Sequence, residues 1–341
     1  MTIQEAALAA TDWIDRCESQ SPGFLGAYVG GSAATLPESA PLPAGSDLDV
    51  FAVLDAPPPP KRGKFLHRGA LLEISYLAAD AIFPPERALA DYHLAHSLRF
   101  GRLLRDPTGA LAALQREVAE RFARRDAIAL RRDGALNRVH SGLTAPLPEP
   151  LPDRTLSWLF PTGIAAHAVL VSALKNPTVR LRYLRAREVL AAEGFPDWSE
   201  RLLSLAGFAD VTRARARALL DALAPLYDRA AARGRTPFPF SSDVSPQCRA
   251  VALDDIAARI DVGDHRESMF WILATWARAM KILSADDPEG FALYLPAFHE
   301  ALAAVHRDSE GEILAARRET LRALPELRAV TDAILRRHAT D

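Results

Sequence analysis

Two aspartates, Asp47 and Asp49, stand one residue apart in a Val- and Phe-rich run, Asp47 to Leu54, that otherwise reads as a strand. Side chains alternate along a strand, so both carboxylates leave the same face. Aspartate is disfavoured inside strands, and two carboxylates this close repel each other unless a cation lies between them. A hard divalent ion such as magnesium resolves both difficulties, because it takes carboxylate oxygens and keeps positions for substrate phosphates. A third acid, Glu73, sits in the apolar run Leu71-Leu72-Glu73-Ile74, within a strand expected over Ala70 to Leu77. Buried there, it must be paired, metal-bound or protonated.

The segment before these acids adds an anion site. Phe24 to Val29 is a short apolar strand that runs into Gly30-Gly31-Ser32. The glycines allow positive φ and let backbone N–H groups approach a ligand closely. Ser32 is expected to cap a short helix. A turn of this kind can hold phosphate oxygens. Three carboxylates on neighbouring strands beside a phosphate turn match a two-metal phosphoryl-transfer site. The plainer alternative has Asp49 facing solvent on an edge strand and Glu73 paired with a nearby cation such as Arg68. Each feature alone favours that alternative; all of them in this order favour the chemical site.

The run Gly30-Gly31-Ser32, a spacer and Ser46-Asp47-Leu48-Asp49-Val50 resembles the signature of the polymerase-β-like nucleotidyltransferases, which include the aminoglycoside adenylyltransferases and the minimal nucleotidyltransferases. The resemblance covers roughly residues 20 to 105. It implies that Gly31 and Ser32 hold the β- and γ-phosphates and that Asp47 and Asp49 ligate magnesium. It also implies that Glu73 is the third carboxylate, completing a metal site or acting as base. Two departures stand out. Fourteen residues, with Pro37, Pro41 and Pro43 among them, separate Ser32 from Asp47, and Ala34 occupies a position where many members carry arginine. Another cation must then substitute. The reaction implied is in-line attack by an acceptor on the α-phosphorus of a nucleoside triphosphate, with two magnesium ions stabilising the attacking and leaving oxygens.

The chain's 341 residues suffice for two domains. Amphipathic spacing predicts a first helix over Met1 to Cys17. Pro37 to Gly45 reads as a loop and Ala56 to Lys64 as a Pro-rich basic turn. Pro84 to Ala95 reads as a helix and Gly101 to Asp106 as a last short strand. Beyond Pro107 the pattern is helical: Thr108 to Asp133, Thr155 to Lys175, Thr178 to Glu193, Val211 to Arg233, His265 to Leu283, Phe291 to His306 and Glu310 to Arg337. The expected fold class is therefore α+β. A small mixed-sheet nucleotidyltransferase domain, residues 1–106, precedes an all-α helical bundle, residues 107–341, assigned to acceptor binding.

A net charge of -2 gives no global attraction to nucleic acid. Cys17 and Cys248 form no Cys-x-x-Cys pair, so a disulfide framework or zinc site is not expected. The N-terminus lacks the basic region of a signal peptide. The longest apolar run, Gly163 to Leu174, is too short to span a bilayer. A cytoplasmic location follows by default.

In the helical half, Arg266 and Glu267 open a helix at Asp264 and are candidates for acceptor binding. The more economical reading has Asp264 capping that helix, with Glu267 completing a capping box. Lys281, near the other end, is a candidate triphosphate contact, although a cation there also suits the helix dipole. Trp158, Trp271 and Trp276 are candidates to line an acceptor pocket, although Trp271 and Trp276, five apart, do not share a helix face, so at least one of those two is expected in plain core. His93, His96 and His140 read as core or surface residues. The leading expectation is transfer of a nucleoside monophosphate to a hydroxyl of a small molecule. The alternatives are modification of a protein or RNA partner, as antitoxin-like nucleotidyltransferases do, and a nucleotide-binding module without turnover.

Overall fold

The computed structural model describes residues 1–42, 46–55 and 59–340. Residues 43–45 of the expected Pro-rich loop and 56–58 of the expected basic turn lie outside the described residues. The chain divides into two units: residues 1–134 with 174–178 and 335–341, and residues 135–173 with 179–334.

The first unit begins with α1 (Ile3–Trp13), opened by a capping box between Thr2 and Glu5 and continued by a π-helical turn over Ile14–Glu18. Strands β1 (Phe24–Val29), β2 (Leu48–Leu54), β3 (Arg62–His67) and β4 (Ala70–Ala78) follow. After the short α2 (Ala79–Ile82) come α3 (Pro85–Ala90), α4 (Leu94–Phe100), β5 (Arg102–Arg105) and α5 (Ala110–Arg121). The five strands make one mixed sheet in the order β3-β4-β2-β1-β5. β2 and β4 are parallel, and the other pairs are antiparallel.

The period of two decides which face each strand residue serves. Leu48, Val50 and Ala52 of β2, with Ala70, Leu72 and Ile74 of β4, bury against Ile3, Ala6, Ala10 and Ile14 of the N-terminal helix. Val53 and Tyr28 belong to the opposite face, in a core with Leu89, Leu98, Leu111 and Leu114, and Phe51 and Leu77 pack on it. Asp47, Asp49 and Glu73 share this second face by alternation. They occupy its end near the start of the two parallel strands, before the part that the helices cover.

Three expectations are corrected here. β3 lies where a turn was expected up to Lys64. It is a half-exposed edge strand, whose basic residues hide the apolar alternation that marks buried strands. It joins β4 through Arg68 and Gly69, both at positive φ, the geometry of a two-residue hairpin. The helix expected over Pro84 to Ala95 is broken into α3 and α4, because the Asp91 carboxylate accepts the backbone N–H groups of His93 and Leu94. The helix expected over Thr108 to Asp133 is likewise two helices, α5 and α6 (Arg125–Thr144), and the Phe122 carbonyl at the break accepts from buried Arg131.

The second unit is all-helical: α7 (Leu151–Ser172), α8 (Arg182–Ala192), α9 (Pro196–Leu205), α10 (Arg213–Arg233), α11 (Asp255–Asp261), α12 (His265–Asp286), α13 (Pro288–Ala303) and α14 (Glu310–His338). The last residues of α14 count with the first unit. α12 packs against α7, α10 and α13 and is buried from Glu267 to Met280, as its nearly continuous apolar sequence requires. α7 is longer than the apolar run within it. At 22 residues it is long and apolar enough to cross a membrane, and most of it is buried inside the protein. The α+β class, with a mixed sheet and an extensive helical region, is the architecture observed.

Candidate metal centre

β2 and β4 run parallel with Asp49 directly beside Glu73 in the register, and Asp47 precedes Asp49 by two residues on the same face. The result is convergence: one carboxylate oxygen from each of Asp47, Asp49 and Glu73 lies within 4.8 Å of the others. Glu73 is buried, and Asp47 and Asp49 are partly buried. Withdrawal from water, reinforced by the negative charges of Asp47 and Glu73, pushes the Asp49 carboxyl up to about 7. Nearby Lys61 and Lys64 only partly offset this. Near neutral pH the cluster thus holds a proton that a divalent cation would replace. Three hard oxygen donors that close, short of positive charge, fit magnesium or a similar ion.

The glycine turn lies over the same carboxylates. The Gly30 N–H donates to the Asp49 carbonyl at 2.8 Å, which ties the turn to β2. A Cβ on Gly30 would meet the Ser97 hydroxyl at 2.4 Å and the Phe51 ring at 2.6 Å. Gly31 has φ +65°, and a Cβ there would fall 2.1 Å from Asp49 Oδ2. Both glycines are therefore required by space, and Gly31 by backbone angle as well. Ser32 is exposed beside them. The capping role expected of it is not observed: only a single 3₁₀ turn follows, over Ala33–Thr35, and the Ser32 side chain makes no capping bond. The backbone at Ser32 is itself helical, which removes the extended geometry an N-cap needs.

Arg102 of β5 braces the segment after the turn by donating to the Ala34 carbonyl, at 3.1 Å, and to the Leu36 carbonyl. An arginine thus reaches the Ala34 position from elsewhere in the fold, and it meets backbone.

Sequence reasoning missed two residues of this site. Lys61 Nζ lies 2.7 Å from Glu73 Oε2, and Lys64 Nζ lies 3.4 Å from Asp47 Oδ2 and 3.8 Å from Glu73 Oε1. A bulge produces the second placement. Arg62 pairs with Ile74 and Phe65 with Leu72, so Gly63 and Lys64 together oppose Glu73 alone. A signal was present: two of the chain's four lysines stand within four residues of each other, just ahead of the strand carrying Glu73. Arg68, the partner considered for Glu73, instead pairs with Asp12 at 2.8 Å.

Lys281, Arg266, Glu267, Trp158, Trp271 and Trp276 belong to the second unit. Lys281 pairs with Asp153 and lies over the Phe238 ring. Arg266 pairs with Glu200 at 2.7 Å. Glu267 is buried and pairs with Arg187 at 2.6 Å. The capping box expected at Asp264 is not formed, because its carboxylate is taken by Arg187 at 2.7 Å. Trp158 and Trp276 are fully buried core residues, and Trp276 donates to the Leu219 carbonyl. His96 is held neutral by burial, its pKa lowered to about 4, and His140 is exposed.

No known protein family matches the sequence, and no curated protein matches it either. A solved structure that is similar is a nucleotidyltransferase-like protein from Exiguobacterium sibiricum, with 9% identity, a TM-score of 0.31, and coverage of 94% of this chain and 89% of that one. Likeness at that level leaves the reading of the site to the residues themselves.

Proposed function

We propose that the protein is a metal-dependent nucleotidyltransferase that moves a nucleoside monophosphate from a nucleoside triphosphate to a hydroxyl of a small-molecule acceptor. The observation that carries this reading is the convergence of Asp47, Asp49 and Glu73 within 4.8 Å, beneath a glycine turn whose Gly31 has no room for a side chain. Bound there, magnesium would supply charge stabilisation for the attacking and leaving oxygens. Asp47, Asp49 and Glu73 would hold it. The backbone N–H groups of Gly31 and Ser32 offer donors to the outer phosphates. Gly30 holds the turn against β2. Lys281, Arg266 and Glu267, proposed for nucleotide and acceptor contacts, would have to exchange Asp153, Glu200 and Arg187 for those ligands.

The test is direct. The protein is incubated with magnesium, α-labelled nucleoside triphosphates and pooled hydroxylated acceptors, and labelled product and pyrophosphate are measured. Asp47→Asn with Asp49→Asn should abolish transfer while the far-ultraviolet circular dichroism stays unchanged. Undiminished transfer by that variant would sink the assignment. Nucleotide binding without pyrophosphate release, across a broad acceptor pool, would favour a binding module instead.

A further inference from the structure

The chain has 37 arginines to four lysines, and among the described residues arginine makes most of the ion pairs. The candidate metal centre departs from that pattern: the two cations paired with its carboxylates are Lys61 and Lys64. The difference has a physical meaning. A guanidinium is a planar fork that locks onto a carboxylate through two bonds, whereas an ammonium is a compact point charge on a flexible stem and exchanges partners easily. The Lys61 side chain is 41% exposed, so solvent is open to it. Lys64 is aimed at Glu73 by the bulge in β3.

The two ammonium groups occupy the oxygens that a divalent ion needs. Lys61 is on Glu73 Oε2 and Lys64 is near Asp47 Oδ2 and Glu73 Oε1. A cation on those oxygens and two ammonium groups against them repel one another. We propose that Lys61 and Lys64 are exchangeable counter-ions: they hold the carboxylate triad together in the ion-free protein, and when metal and nucleotide arrive they swing onto the nucleotide's phosphates. The inference rests on the nucleotidyltransferase reading above. It also supplies the phosphate cation missing at Ala34, since Arg102 spends its donors on the Ala34 and Leu36 carbonyls. The charges agree: a divalent ion adds two positive charges among the carboxylates and the two lysines, which draws in an anion while the carboxylates release the lysines.

The proposal requires the two affinities to move in opposite directions. Mn²⁺ binding is measured by electron paramagnetic resonance, and binding of a non-hydrolysable nucleoside triphosphate with Mn²⁺ by calorimetry. Wild type is compared with Lys61→Gln/Lys64→Gln. The variant should bind Mn²⁺ alone roughly tenfold more tightly and the Mn²⁺–nucleotide complex roughly tenfold more weakly, the scale of losing a hydrogen bond to a charged group. Lys61→Gln alone, at the more exposed position, should shift both the same way by less, which guards against a folding defect in the double variant. Two affinities that move together, or do not move, overturn the inference. Failure of wild type to bind Mn²⁺, or equal binding by Asp47→Asn/Asp49→Asn, overturns the reading beneath it as well.

Discussion

Gly31 stands so close above Asp49 that a Cβ at position 31 would lie 2.1 Å from Asp49 Oδ2. The turn and the metal-binding face therefore behave as one piece. Gly31→Ala forces the carboxylate aside and also places an L-residue at φ +65°, which costs about 1–2 kcal/mol by backbone strain alone. The expected outcome is a modest loss of stability in urea unfolding and a fall in Mn²⁺ affinity on the order of tenfold or more, because a displaced ligand no longer faces the ion. In Gly31→Ala/Asp49→Ala the collision partner is gone, so the double variant should be more stable than the sum of the single changes implies. Strict additivity would show that the two residues do not touch.

Asp49 gives a pH dependence of definite sign. Its carboxyl, ordinarily at 3.8, is pushed up to about 7 in the folded protein by burial and by the charges of Asp47 and Glu73. Below about pH 4 it is protonated in both the folded and the unfolded chain and contributes no difference. Between pH 4 and 7 the unfolded chain ionises and the folded one resists, so stability falls as pH rises; above 7 the loss is complete. Its size is on the order of 4 kcal/mol. In chelator, urea unfolding at pH 5 and pH 8 should show wild type losing stability relative to Asp49→Asn, which has no such proton. Magnesium at pH 8 should restore wild type and leave the variant unchanged. Equal pH profiles for the two proteins would contradict the burial and charge crowding described for Asp49.

The acids of the site were readable from sequence because strand alternation fixes the face of a side chain two residues away, and Asp47 and Asp49 obey it. Parallel pairing of β2 with β4, which brings Glu73 beside Asp49, follows from no local pattern. It became legible only through the combination of an acid in an apolar strand with the preceding motif. Lys61 and Lys64 were not legible because their placement depends on a bulge in an exposed edge strand, where hydrophobic periodicity is weak. The break between α3 and α4 was missed for a related reason: Asp91 acts through its side chain on two backbone N–H groups, which overrides helical spacing. At Asp264 the local capping pattern was present but lost to the ion pair with Arg187, a partner 77 residues away in sequence.

Arg102 offers a test of how far the backbone after the glycine turn must be held. It donates to the carbonyls of Ala34 and Leu36, and its guanidinium pairs with Glu38 at 3.7 Å. Arg102→Met removes those donors and keeps much of the stem's apolar packing. Mn²⁺ affinity should stay near wild type, since the carboxylates are held by β2 and β4. The KM for nucleoside triphosphate should rise, and kcat should fall, by on the order of tenfold, the scale of a small misplacement of bound substrate. Faster amide exchange at residues 33–36 should accompany the change. Kinetics indistinguishable from wild type would show that the turn needs no brace from β5.

Glu267 provides the last test, one that separates a structural from a functional role in the second unit. It is buried and answered by Arg187 at 2.6 Å, while the same guanidinium also holds Asp264. Removing the cation leaves a buried acid without its counter-charge, and such losses reach about 3 kcal/mol, reduced here because Arg187 is partly exposed. Arg187→Met should therefore destabilise the protein by about 2 kcal/mol in urea. Arg187→Met/Glu267→Met should recover most of that, since an apolar pair needs no partner. Glu267→Gln then divides the roles. If Glu267 serves only the ion pair, the folded variant keeps the wild-type turnover number. If it also acts as a base toward the acceptor, turnover falls and its dependence on pH flattens, while KM for the nucleotide stays where it was.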